Sequence, residues 1–396
     1  MSKGNLLIVH GGAPTAVINA SLYGAVTEAK KHPEVDKVLG AIGGSGGVLR
    51  EDFCELQSVP EQTLRLLLQT PASAIGTSRD PLSPEDYADM AAICKKRGIR
   101  WVLFNGGNGS MDACGKVYAA CKAQGLDVRV VGIPKTMDND IAVTDHAPGY
   151  GSAARYMAAS VAEVCCDVKG LPIHVVVVES LGRAAGWVTA ASALAGDSGT
   201  GGPDLIYLPE RAFSEEQFLA DVQQLIDTKG SGVVVASEGL HYADGTPIVE
   251  PVMTVGRATY FGDVSAHLAN LIIKKLGYKA RAEKPGILGR SSIAWQSSID
   301  RDEAVLAGTE AVKAAVAGHT GVMVGFERKT GEAYAVKPIL IPIEQVMLTE
   351  KTMPDEFINE AGNGITEAFK AWCRPLIGTP LRRFVSFQTK TRSCEQ

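Results

Sequence analysis

The sequence predicts an α/β fold of two lobes, each a mainly parallel sheet covered by helices. Three observations carry this reading: short apolar runs recur along the chain, segments of helical spacing separate them, and several runs end in glycine-rich turns. The runs fall at residues 6–9, 38–42, 101–104, 128–133, 174–178, 205–208, 233–236 and 321–325. Each has the length and aliphatic composition of a strand buried on both faces. Between them, residues 16–31, 84–97, 111–124, 151–167, 214–227, 265–276 and 302–317 space their apolar positions as helices do. At 396 residues with 45% hydrophobic side chains, the chain is long enough to fill two cores.

The charge balance, 44 acidic against 39 basic residues without a like-charged block, excludes a long electrostatic grip on nucleic acid or membrane. No window approaches the roughly 18 uninterrupted apolar residues of a membrane span. Strand-like residues begin at Leu6, without a basic and apolar leader before them. Eight cysteines are scattered without CxxC spacing, which suits reduced thiols. The expected location is the cytoplasm.

The chemistry gathers at strand ends, where ligands of open parallel sheets bind. Gly11-Gly12 follows the first run, and Gly106-Gly107-Asn108-Gly109-Ser110 lies between a strand and a helix, where backbone N–H groups can cradle phosphate. Neither a Walker A loop nor a GxGxxG dinucleotide fingerprint is present. Pro134-Lys135-Thr136-Met137-Asp138-Asn139-Asp140 follows the fourth run. Its carboxylates at i and i+2 suit proton abstraction and placement of Mg2+, and Lys135 suits charge on a transferring phosphoryl group. Taken alone, an Asx turn also fits this heptad. Arg183 in Leu181-Gly182-Arg183, and Glu238, are further polar groups at strand ends.

In this order the motifs resemble the 6-phosphofructokinase family, in its longer group that contains many pyrophosphate-dependent members. The resemblance runs from about residue 6 to residue 290, and adds the block Thr144-Asp145-His146-Ala147-Pro148-Gly149-Tyr150-Gly151-Ser152-Ala153-Ala154. It implies a phosphofructokinase-like fold with the active site in the cleft between lobes. It also implies a donor-binding lobe over 1–140, a sugar-phosphate-binding lobe over 141–310, and a return crossing with C-terminal helices over 311–396.

Carried over residue by residue, the resemblance makes Asp138 the general base for the sugar 1-hydroxyl, aided by Lys135 and Arg79. The donor then meets Gly11, Gly12, Arg79, Gly107, Asn108, Gly109 and Ser110. The acceptor, fructose 6-phosphate, meets Thr136, Asp138, Asp140, Leu181, Gly182, Arg183, Glu238 and Arg290. Mg2+ falls to Asn108, Asp138 and Asp140. Gly109 and Lys135 bear on the donor: glycine leaves room for the ATP α-phosphate, where pyrophosphate users usually carry aspartate, while lysine is typical of pyrophosphate users. The reading favours ATP, with pyrophosphate as the alternative.

Three departures stand out. Asn108 replaces a frequent aspartate. Asp263 and Ala266 replace a histidine and an arginine in the block beginning at Arg257, and His174 lies where relatives often carry a basic residue that reaches a neighbouring subunit. Arg290, in Ile287-Leu288-Gly289-Arg290, is then the expected cation for the sugar phosphate, with Arg257 and Lys274 as fallbacks. Sedoheptulose 7-phosphate is a further candidate acceptor. A homo-oligomer, dimer or tetramer, is expected. A non-catalytic regulatory homologue is the competing reading.

Overall fold

The computed structural model describes residues 3–171, 174–199, 201–255, 258–260, 262–331, 333–347 and 349–387, with side chains 254–260 left aside. Its strands, in chain order, are β1 (Gly4–His10), β2 (Val35–Ala41), β3 (Phe53–Glu55), β4 (Ile99–Gly106), β5 (Arg129–Pro134), β6 (Val175–Ser180), β7 (Leu205–Tyr207), β8 (Gly232–Ser237), β9 (Met253–Val255), β10 (Ala258–Tyr260), β11 (Ala280–Glu283), β12 (Val322–Arg328) and β13 (Val336–Pro342). The longer helices are α1 (Ile18–Ala29), α2 (Pro84–Lys96), α3 (Asn108–Ala123), α4 (Tyr150–Gly170), α5 (Glu215–Lys229), α6 (Val264–Leu276) and α7 (Ser298–Val316). Every apolar run forms a strand and every helically spaced segment a helix.

The chain divides into one unit of Met1–Ala153 with Arg290–Lys351, and a second of Ala154–Gly289 with Thr352–Gln396. These bounds differ from the expected divisions at 140 and 310: residues 141–153 stay with the first unit, and the first boundary falls in the first turns of α4. The return to the first unit begins at Arg290, before α7, and not at 311 within it.

The first unit holds a seven-stranded sheet in the order β13-β12-β5-β4-β1-β2-β3. Strands β2, β1, β4, β5 and β12 run parallel, while β3 and β13 are antiparallel edges. Residues alternate between faces as a strand's period requires. Leu7, Val9, Val102 and Phe104 meet apolar residues of α2 and α3, while Leu6, Ile8, Leu103 and Ile133 meet those of α1 and α7. Helices α1 and α7 approach so closely that a Cβ at Gly24 or Gly308 would run into the carbonyl oxygen of Val305 or Ser21. The chain leaves β1 for β2 on one side and returns to β4 on the other, so the ends of β1 and β4 form a topological switch point.

The second unit holds a parallel sheet, β11-β6-β8-β7. Val175, Val177, Val234 and Ala236 pack there with Phe218 and Val222 of α5 and Leu268 and Ile272 of α6. Trp187, Phe357, Phe369 and Trp372 form a separate aromatic cluster. Among the described residues, no helix is long and apolar enough to cross a membrane.

Candidate active site

In the first unit, three strand ends supply one group of residues. The turn after β1 is held by Gly11 N–H to Asn105 O (2.9 Å) and Gly12 N–H to Ser78 O (3.2 Å). Gly12 has φ +73°, a conformation that suits glycine. A Cβ on Gly11 or Gly106 would collide with the Ser110 hydroxyl, so both glycines let that side chain pack between the strand ends. The following helix, α3, starts at Asn108 with no side-chain cap on its first turn, which leaves its N-terminal dipole for an anion. Space beside Gly109 is open, since a Cβ there would meet nothing within 4 Å.

Lys135 is 3% exposed, and its ammonium donates to the carbonyl of Ala13 at 2.5 Å. Arg290 donates to the next carbonyl, Pro14 O, at 2.7 Å. One turn therefore anchors two cations. Burial pushes Lys135 down to about 7, with Asp138 and Asp140 opposing that shift and Arg290 and Arg79 adding to it. The same electrostatics place all five side chains in one neighbourhood. Below them His10 is fully buried, 2.8 Å from Ser73 Oγ through Nδ1, and burial followed by Lys135 lowers it to about 3. His10 is neutral and adds no charge to the cation group.

The loop after β5 carries the two carboxylates. Thr136 Oγ1 accepts the Asp138 N–H at 3.0 Å and donates to Asp140 Oδ1 at 3.1 Å. Asn108 donates its amide to Asp140 Oδ2 at 3.0 Å. Both Asp140 oxygens are thus engaged as a brace. Of the trio expected to hold Mg2+, Asn108 Oδ1 is buried without a hydrogen-bond partner, and Asp138 is buried beside the Thr136 hydroxyl. Among the described residues there is no cluster of three or more His, Cys, Asp and Glu suited to a metal. Two oxygen ligands with the rest supplied by water and phosphate fit Mg2+, which seldom takes an all-protein cage.

In the second unit, β6 and β8 are neighbours, with Ser180 opposite Ser237, so Leu181-Gly182-Arg183 and Glu238 emerge side by side. Glu238 Oε1 accepts the N–H groups of Gly182 and Arg183, each at 3.2 Å, and bends the turn in which Arg183 takes φ +51°. Burial raises Glu238 above the usual carboxylate range against the pull of those N–H groups. Asp263, the anomalous carboxylate, pairs with Lys284, which also lies 3.1 Å from the buried Glu179. Burial disfavours the Lys284 charge, yet Asp263 and Glu179 outweigh it and hold the ammonium above its ordinary range. Glu179 in turn accepts the Ser265 N–H at 3.0 Å.

Lys284 has no motif around it, and only its two carboxylate partners mark it. His174 accepts the Lys279 N–H at 3.1 Å on its Nδ1. Of the fallback cations, Lys274 lies on the last turn of α6, and Arg257 falls outside the described residues.

The phosphofructokinase profile matches residues 5–315. The chain belongs to the phosphofructokinase family. It is 38% identical over 391 residues to a pyrophosphate–fructose 6-phosphate 1-phosphotransferase of Xanthomonas campestris pv. campestris, covering 95% of this chain and 92% of the relative. It is 33% identical over 389 residues to a sulfofructose kinase of Alkalicoccus urumqiensis, covering 98% of each chain. A crystal structure of a pyrophosphate-dependent phosphofructokinase from Nitrosospira multiformis superposes with a TM-score of 0.88 at 31% identity, covering 98% of this chain and 95% of that one. Phosphofructokinase-like architecture and phosphotransferase chemistry are therefore properties of this chain.

Proposed function

We propose that this phosphofructokinase transfers a phosphoryl group from inorganic pyrophosphate to the 1-hydroxyl of fructose 6-phosphate. The observation that carries the choice of donor is the buried Lys135, held on the Gly12 turn in the neighbourhood of Arg79 and Arg290. Such a group neutralises a compact polyanion without help from a nucleoside. Likeness over nearly the full chain to pyrophosphate-dependent enzymes supports the same donor. This departs from the ATP expectation drawn from Gly109.

In the proposed reaction Asp138 takes the proton of the sugar hydroxyl. The sugar oxygen forms a new P–O bond as the bond to the leaving phosphate breaks. Lys135 and Arg79 balance charge on the transferred and leaving groups, while Thr136 and Asp140 keep Asp138 in place. Gly11, Gly12, Gly107, Asn108, Gly109 and Ser110 line the donor, and Leu181, Gly182, Arg183, Glu238 and Arg290 hold the acceptor. Asn108 Oδ1 and Asp138 would hold Mg2+, which would supply electrostatic stabilisation of phosphate oxygens when bound.

The open space at Gly109 favours ATP as a second donor. A second acceptor reading rests on Asp263 and Lys284, whose paired charges leave less net positive charge for a dianionic phosphate than an unpaired cation. That suits a singly charged sulfonate, and one relative is a sulfofructose kinase. A matrix of pyrophosphate and ATP against fructose 6-phosphate, sedoheptulose 7-phosphate and sulfofructose decides among these. The expected product is fructose 1,6-bisphosphate from pyrophosphate. Binding of both substrates without turnover in any pair would support the regulatory reading. Asp138→Ala should lower kcat by about 10²–10⁴ while the melting temperature is kept.

A further inference from the structure

The segment 144–149 holds the catalytic loop through Ala147 and Pro148, and is itself tied to α7 through Gly149. Ala147 N–H donates to Asn139 Oδ1 (3.2 Å), Pro148 O accepts the Thr136 N–H (3.1 Å), and Gly149 N–H donates to Asp300 Oδ1 (2.8 Å). Asn139 stands between the two carboxylate residues with φ +53°, a strained conformation that external bonds must maintain. The residue just before this triplet is His146, 1% exposed. Its Nδ1 lies 2.8 Å from Asp145 Oδ2 and its Nε2 2.7 Å from Glu303 Oε2.

Both ring nitrogens face carboxylates, which accept only, so both must donate. A neutral imidazole has one N–H; the imidazolium has two. The surroundings match that charge. Arg328 lies 3.0 Å from Asp145, Tyr334 donates to Glu303 Oε1 at 2.7 Å, and Lys351 donates to the carbonyls of Thr144 and Asp145 at 3.0 and 2.9 Å. The Lys351 N–H also donates to Asp140 O at 2.8 Å. Asp300, one turn before Glu303 on α7, accepts from the N–H and hydroxyl of Ser152.

We infer that His146, held as an imidazolium between Asp145 and Glu303, is a positioning residue that fixes Asn139 and so the spacing of Asp138 and Asp140. At 1% exposed it offers no open face to a ligand, and it acts through the backbone of Ala147 and Pro148. The inference rests on the phosphoryl-transfer reading for its kinetic consequence, and on the bond pattern alone for its structural one.

Glu303→Gln tests it with little change of volume, beside His146→Gln. The expected result is a fall in kcat of about ten- to a hundredfold, of the size found when a supporting hydrogen-bond partner is removed, with KM for both substrates within twofold. In Glu303→Gln the alkaline limb of kcat moves to lower pH, because loss of a carboxylate makes the imidazolium easier to deprotonate. Amide exchange over residues 134–152 should rise in both variants while exchange over β1 and β4 is unchanged. A kcat within threefold of the parent, or a loss shared equally by kcat and KM, overturns the kinetic role. Unchanged exchange over 134–152 overturns the positioning itself, even if no donor and acceptor pair gives turnover. If His146→Gln does not fold, Glu303→Gln decides alone.

Discussion

Asn108 gives its amide to Asp140 Oδ2 at 3.0 Å and keeps its own Oδ1 buried without a partner. An aspartate at 108 would put two carboxylates at this distance, and one would resist ionisation. Asn108→Asp should lower stability by about 1–3 kcal/mol in the presence of a chelator, through repulsion between the two carboxylates and loss of the amide bond. Mg2+ should restore more of the melting temperature in this variant than in the parent. Equal responses to Mg2+ would show that position 108 does not face the ion.

Gly109 lies in the first turn of α3, with room for a side chain. Gly109→Asp should fold normally and gain about 0.3–1 kcal/mol from the helix dipole. Its ratio of pyrophosphate to ATP activity should rise, because the carboxylate fills and charges the space available to an α-phosphate. An unchanged ratio with intact folding would remove this glycine from the choice of donor.

Lys135 has a folded-state value of about 7 against an ordinary 10.5, lowered by burial. Between those pH values the unfolded chain holds a proton that the folded chain has released, so this residue makes stability rise with pH across that window. Lys135→Met should remove the slope. The variant's gain in melting temperature over the parent is then largest near pH 7 and shrinks toward pH 10. Its kcat with pyrophosphate should fall by about 10²–10³ through lost charge stabilisation. A parallel pair of stability curves would show that the lysine keeps its ordinary proton affinity.

Lys284 neutralises Glu179 and Asp263 together. Lys284→Met should cost about 1–2 kcal/mol in urea unfolding, less than a fully buried pair because the ammonium reaches solvent. KM for the sugar phosphate should rise severalfold with the donor KM unchanged. A stability loss without any change in acceptor KM would confine this lysine to a structural role.

The elements could be read from sequence because their signals are local. Val175-Val176-Val177-Val178 or Leu6-Leu7-Ile8-Val9 forms a strand for reasons held within a few residues. Strand β11, Ala280–Glu283, carries only one weak apolar position that is even half-buried, and it becomes a strand by pairing with β6. The pairing supplies what its own pattern lacks. Asp300 and Glu303 carried a faint signal, two acids at i and i+3 beside buried alanines at 304, 307 and 311, but nothing in that spacing pointed to Gly149 or His146.

By itself the sequence determined the alternating strands and helices, the glycine turns at the strand ends, and the Lys135–Asp140 loop as the proposed place of chemistry, since each depends on neighbours along the chain. Only the tertiary structure decided what those side chains experience. Asp140 became a brace when Asn108 and Thr136 took both its oxygens. Asp263 ceased to be an unpaired carboxylate when Lys284 reached it, and Lys135 acquired its low proton affinity by being buried on the turn after β1. Desolvation and charge pairing act through space, between residues that the chain brings together only when it folds.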